Sequence, residues 1–272
     1  MMAPNRRRED RRRDLLIGSS LYQVDETTGR VQYAATRSME AVLEHNPFFQ
    51  RLPNAHRAEF AAAFQRRIYE RKAHLRGSGS AMVHIVLSGC VAEESSYGET
   101  TTVRILGTGA VLGDLEVFDE TLATPTTRCL NTTMTLALPM DRMRAMVEHN
   151  SILSATLGAG ITDRLVTAER VYGRVGLRPE ERLAGLFTHL LGVCAVPCPR
   201  FGRMLVGPSQ VDLADALNFS RATVECALRL LRKENLVVTG YRTFSFPSEA
   251  ALAQFGKVCI PVQRVTGEAS HP

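Results

Sequence analysis

The sequence predicts an α+β chain in two parts: a β-roll of short strands, then a long helix leading to a winged helix-turn-helix. Three observations predict it. Residues 68–139 are short apolar runs broken by glycine, residues 151–175 hold an apolar seam at helical spacing, and residues 208–246 read as two helices, a tight turn and a hairpin. A chain of 272 residues with 44% hydrophobic content is long enough for two domains.

Residues 1–37 read as a flexible basic tail without sustained periodicity. The roll domain is expected over 38–150. It opens with a helical pattern at Met39, Val42 and Leu43, followed by a helix from Ala55 to about Phe64 with Asn54 as its cap. Met82–Leu87, Thr102–Leu106 and Met134–Leu138 read as strands, and the glycines between them as turns. After a short helix at Asp141–His149, a single long helix is expected over 151–176. Ile161, Leu165, Ala168, Tyr172 and Val175 recur along it with spacings of four, three, four and three, the seam that lets two helices pack lengthwise. Gly176 to Pro179 ends it as a hinge, and Pro179-Glu180-Glu181 suits the first turn of the next helix.

The C-terminal domain is expected over 177–256, with a tail at 257–272. In its first short helix Val211, Leu213, Ala214 and Leu217 form the apolar stripe, and Asn218-Phe219 breaks the pattern. Ser220 then caps a second helix whose inner face is Val224, Ala227, Leu228 and Leu231. Val237-Val238, Gly240 and the alternating Tyr241–Phe246 complete a hairpin. Such a second helix enters the major groove of double-stranded DNA with its N-terminal side chains at the base edges. The candidate DNA-binding residues are therefore Ser220, Arg221, Ala222, Thr223, Glu225 and Cys226. Arg221 can donate two bonds to one guanine, whereas Ser220 and Thr223 suit phosphates.

Composition adds exclusions. The formal charge is +5, but residues 1–14 hold six arginines against Glu9, Asp10 and Asp14, leaving only +2 for the rest. Net charge alone does not point to nucleic acid; the helix pattern does. No apolar run is long enough to cross a membrane, and six cysteines at irregular spacing suit reduced thiols in a cytoplasm. His189, Cys194 and Cys198 lack a fourth ligand at suitable spacing, so no metal site is expected. There is no P-loop, nucleophile elbow, zinc-protease helix or paired acid–base motif, and an enzyme is not expected.

At Leu213-Ala214, Leu217, Ser220-Arg221, Thr223-Val224, Leu228 and Leu231 the chain resembles the Crp/Fnr family of bacterial transcription regulators. The resemblance extends to Val86-Leu87-Ser88-Gly89 and to Gly107–Leu115, landmarks of that family's cyclic-nucleotide-binding roll. It implies a homodimer paired through Ile161, Leu165, Ala168 and Tyr172, and a partnership with RNA polymerase. It also implies an effector pocket at Gly113, Asp114, Leu115, Thr126, Thr127 and Arg128. Members that bind cyclic AMP follow a Gly-Glu pair with an Arg-Ser or Arg-Thr pair; here Gly113-Asp114 is followed by Thr124-Pro125-Thr126. Their adenine-contacting Thr-Ser pair corresponds to Ala168-Glu169. Cyclic AMP is therefore disfavoured, and the effector is unknown or has been lost. Arg128 can rescue the phosphate contact only if it shares the strand face of the missing arginine. No iron–sulfur cluster is expected, because the first cysteine is Cys90. The alternative is a cyclic-nucleotide-responsive signalling module that acts through protein contacts.

Overall fold

The computed structural model describes residues 22–24, 31–33, 39–77, 79–198 and 200–258. Most of the expected N-terminal tail, nearly all of the C-terminal tail and Cys259 lie outside them. The tail expectation needs correction at one place. Strands β1 (Tyr22–Val24) and β2 (Val31–Tyr33) pair antiparallel, with Tyr22 opposite Tyr33. Three alternating residues per strand are too short a signal to stand out in a sequence.

Three helices precede the roll: α1 (Met39–Glu44), α2 (Pro47–Gln50) and α3 (Asn54–Ala62). Asn46 caps α2 by accepting from the Phe48 N–H at 3.0 Å, and its amide donates to the Val86 carbonyl, fixing the helices to the roll. Asn54 is not a cap: it is the first residue of α3, after Pro53, whose fixed φ starts the turn.

The roll contains two antiparallel four-stranded sheets. In one, β3 (Gln65–Tyr69) pairs with β10 (Thr133–Pro139), β10 with β5 (Met82–Ser88), and β5 with β8 (Val111–Leu112). In the other, β4 (His74–Arg76), β9 (Thr126–Cys129), β6 (Val91–Tyr97) and β7 (Thr100–Leu106) follow in that order, and a short helix α4 (Asp114–Phe118) lies between β8 and β9. Leu75, Val86, Val91, Leu112 and Cys129 pack together between the sheets. The three expected strands are present, but the sequence reading missed β3, β4, β6, β8 and β9. β6 (VAEESSY) carries charged and hydroxyl side chains and so shows no apolar run.

Helix α5 (Met140–His149) leads to α6 (Ser151–Thr167), capped by Asn150, whose side chain accepts from the Leu153 N–H at 3.0 Å. The long helix does not continue regularly to Val175. Ala168–Tyr172 is a wider π-helical turn, and the helix stops at Gly173. The wider turn shifts the phase of the side chains that follow.

Beyond α7 (Pro179–Val193), residues Ala195 to Cys198 form a strand. β11 (Ala195–Cys198) pairs with β12 (Gly202–Val206), and β12 with β14 (Thr243–Ser245). Helices α8 (Gln210–Leu217) and α9 (Arg221–Lys233) follow β12. The hairpin of β13 (Val238–Gly240) and β14 turns through Tyr241 and Arg242, and α10 (Glu249–Phe255) is the last helix among the described residues. Asn218 makes the α8–α9 turn in the left-handed conformation, φ 55°. Val211, placed in the α8 stripe by spacing, is 48% exposed, whereas Leu213, Ala214 and Leu217 are buried.

The C-terminal unit is not held by a loose linker. Cys90, Ala92, Ile105 and Leu130 of the roll share one core with Leu183, Leu190, Leu205, Leu213, Val224 and Leu231. Gly107 of the roll meets the α7 end so closely that a Cβ there would strike the Val193 carbonyl.

Candidate functional site

Two groups of residues stand out: the exposed start of α9, and a buried set of charges inside the roll. The amphipathic spacing of α9 places Val224, Ala227, Leu228 and Leu231 in the core. That leaves Ser220, Arg221, Ala222, Glu225, Cys226 and Arg229 exposed, with Thr223 half-buried. Ser220 caps the helix by accepting from the Thr223 N–H at 3.0 Å, and the two hydroxyls lie 2.8 Å apart. Glu225 and Arg229 approach to 3.8 Å across one turn. Docking of the C-terminal unit on the roll thus leaves the outer face of α9 open.

Inside the roll, Gly113 initiates α4 at φ 93°, a conformation that favours glycine. A Cβ there would meet the Arg76 guanidinium at 2.8 Å. Arg76 is buried, donating from Nε to the Met82 carbonyl at 3.0 Å and from Nη2 to Glu116 at 2.9 Å. Its Nη1 and the Thr127 hydroxyl, on directly opposed residues of β4 and β9, have no hydrogen-bond partner among the described residues. Asp114 accepts from the Leu115 N–H at 2.9 Å and from Arg164 of α6 at 2.6 Å, and Glu93 lies 3.8 Å from Arg164. Burial pushes the Asp114 and Glu93 carboxyls up, against the pull of Arg164. The Arg164 guanidinium is held above its usual range, because those two carboxylates outweigh its own desolvation. Three carboxylates and two guanidiniums so arranged largely satisfy one another.

The pocket residues expected from the resemblance therefore divide. Gly113, Asp114 and Thr127 are buried beside these charges, whereas Leu115 and Thr126 are exposed. Thr126 lines a shallow hollow of about 340 Å³ with His74, Arg76 and Ser80. Arg128 is not in the pocket. Strand alternation sends Thr127 inward and Arg128 outward, where it pairs with Asp212 of α8 at 2.6 Å. Arg76, Glu93, Glu116 and Arg164 escaped sequence reasoning, because each is a lone charged residue whose partner is distant in the chain. Among the described residues no group of three or more His, Cys, Asp or Glu is placed to hold a metal ion.

On the long helix Ile161 and Ala168 are half-buried, and Leu165 is 61% exposed. Tyr172 departs from this seam. At the end of the π-helical turn its hydroxyl lies against the roll, accepting from the Ile105 N–H at 3.1 Å and donating to the Ile105 carbonyl at 3.3 Å.

The family of cyclic nucleotide-binding domains matches residues 66–150. No curated protein matches the chain by sequence. Solved structures are similar over most of its length. A CRP-family transcriptional regulator from Thermus thermophilus is 17% identical, aligns 70% of this chain with 96% of its own, and has a TM-score of 0.58. FixK2 from Bradyrhizobium japonicum is 17% identical, with 71% and 96% covered and a TM-score of 0.55. The c-di-GMP-responsive global regulator CLP from Xanthomonas campestris is 18% identical, with 72% and 100% covered and a TM-score of 0.55. No helix among the described residues is long and apolar enough to cross a membrane. Residues 66–150 thus match a cyclic nucleotide-binding domain, and about seven-tenths of the chain shares the fold of the CRP/FNR-family transcriptional regulators.

Proposed function

We propose that the chain is a cytoplasmic, non-enzymatic, sequence-specific DNA-binding transcription regulator that acts as a homodimer and works with RNA polymerase. The observation that carries this reading is the open N-terminal face of α9. Its inner face is buried while Ser220, Arg221, Ala222, Glu225 and Cys226 are exposed beside the hairpin. Arg221 reads a guanine through O6 and N7, Ala222 offers an apolar contact, and Ser220 and Thr223 hold phosphates. Pairing through Ile161, Leu165 and Ala168 sets two copies of α9 about 34 Å apart, one turn of the duplex.

The roll's effector is not cyclic AMP in this reading. The expected pocket segment from Gly113 to Thr127, the roll's cassette, has Thr124-Pro125-Thr126 where cyclic AMP binders carry an arginine, and the Asp114 carboxylate is already occupied by Arg164. The roll senses a different effector or none.

Selection of binding sites from a random duplex library, with and without cyclic AMP, tests the proposal. A two-fold symmetric motif enriched equally in both is the expected result. Absence of any enriched motif in either condition overturns the DNA reading; a motif that appears only with cyclic AMP overturns the effector reading.

A further inference from the structure

We infer that Arg128 is a positioning residue for the DNA-reading unit. It clamps the first helix of that unit directly to the strand that leaves the roll's cassette. Arg128 stands on β9 immediately after Thr126 and Thr127, and its Nη2 donates to Asp212 Oδ1 at 2.6 Å. Asp212 is buried near the N-terminus of α8, where its Oδ2 accepts from both the N–H and the hydroxyl of Ser209 at 2.7 Å. One carboxylate therefore caps α8 and receives the roll.

Neighbouring contacts make the clamp a defined seat. Arg242, in the hairpin turn, approaches Asp212 to 3.5 Å and donates to the Gly207 carbonyl from Nε at 3.0 Å and Nη2 at 2.8 Å. Gly207, at φ 120°, sits so close to the roll that a Cβ would lie 3.0 Å from the Leu130 carbonyl. Asn131 donates to the Val206 carbonyl at 2.8 Å and accepts from the Cys90 N–H at 2.8 Å. The roll thus holds the entry to α8 and, through Arg242, the hairpin, while α9 stays open.

The consequence for regulation rests on the reading given under Proposed function. A ligand or contact that shifts Thr126 and Thr127 moves Arg128 with them, since they are consecutive residues of one strand. That movement reaches α8 without passing along the long helix, and so changes the orientation of α9 relative to the dimer axis. The Asp212 carboxyl remains charged in this arrangement: burial pushes it up, but Ser209 and Arg128 outweigh burial and hold it below its usual range.

The test uses the full chain and the variants Arg128→Ala and Arg128→Lys. Hydrogen exchange by mass spectrometry should show residues 207–217 exchanging about tenfold faster in Arg128→Ala, with β5 unchanged, because the seat is opened locally. Arg128→Lys, which keeps the charge, should recover most of the protection. Unchanged exchange at 207–217, an equal rise at β5, or no recovery with lysine overturns the clamp. In duplex selection, Arg128→Ala should keep the half-site sequence and accept a wider range of half-site spacings; an unchanged spacing overturns the positioning role. If the wild-type protein enriches no site, the regulator reading fails, and the exchange experiment still judges the clamp.

Discussion

Asp114 and Arg164 lie 50 positions apart in the chain and 2.6 Å apart in the fold, joining the helix that starts after β8 to the long helix α6. Both side chains are largely buried, 6% and 15% exposed, so this pair belongs to the interior. It brings Glu93 along at 3.8 Å, and the three charges depend on one another.

Replacing Arg164 by alanine leaves two buried carboxyls without their cation. The expected loss is about 3 kcal/mol at neutral pH, read as a lowered urea midpoint. The direction with pH is opposite to ordinary acid unfolding. Burial already raises both carboxyl groups, and removing Arg164 raises them further, so the folded variant binds protons more readily than the unfolded chain. The deficit should therefore shrink as pH falls below neutrality. A deficit independent of pH would mean that these groups are hydrated.

Gly113→Ala should destabilise by about 2 kcal/mol, since a φ of 93° strains any side chain and the new Cβ strikes Arg76. The guanidinium cannot swing away cheaply, because Met82 and Glu116 hold it. Thermal unfolding of the variant checks this; an unchanged midpoint would show that the α4 entry adjusts.

His84 is buried on β5, with its ring beside the Thr135 hydroxyl at 3.2 Å. Burial, then Arg76 and Arg67, lower its pKa to about 4. The unfolded chain takes up this proton near pH 6.5, the folded chain only near 4. The contribution is full above pH 6.5 and is lost as pH falls towards 4, amounting to about 3 kcal/mol at roughly 1.4 kcal/mol per unit. Stability measured across that window should fall less steeply in His84→Gln than in the wild-type protein.

Leu165 is the most exposed of the seam residues on α6. Leu165→Glu should convert the protein to a monomer in sedimentation at micromolar concentration, with the far-ultraviolet signal retained. A persistent dimer would place the pairing surface elsewhere.

Arg221→Ala should cost about 1–3 kcal/mol at a single guanine of the selected half-site and relax preference there. Arg221 is exposed and lies on the outer face of α9, so folding should be unaffected. An unchanged selected site would assign base reading to another residue.

What was readable in advance was local. The α9 cap, its buried stripe and its exposed face follow from residues three and four apart, and the Asn218 turn and the hairpin from short runs. The short strands β4, β8 and β9 were not readable, because two to four residues carry too little periodicity. A regular helical period puts Tyr172 on the seam, whereas the π-helical turn that ends at Tyr172 brings its hydroxyl to the roll.

By itself the sequence determined the α+β class, the order of roll, long helix and C-terminal unit, and the open start of α9. Each is written in patterns a few residues long. The tertiary structure alone decided that Arg164 fills the Asp114 site, that Arg76 lies over Gly113, and that Arg128 turns away from the cassette to Asp212, 84 residues onward. A buried charge is settled by whichever opposite charge the fold brings within hydrogen-bonding distance, and spacing along a chain carries no record of that partner.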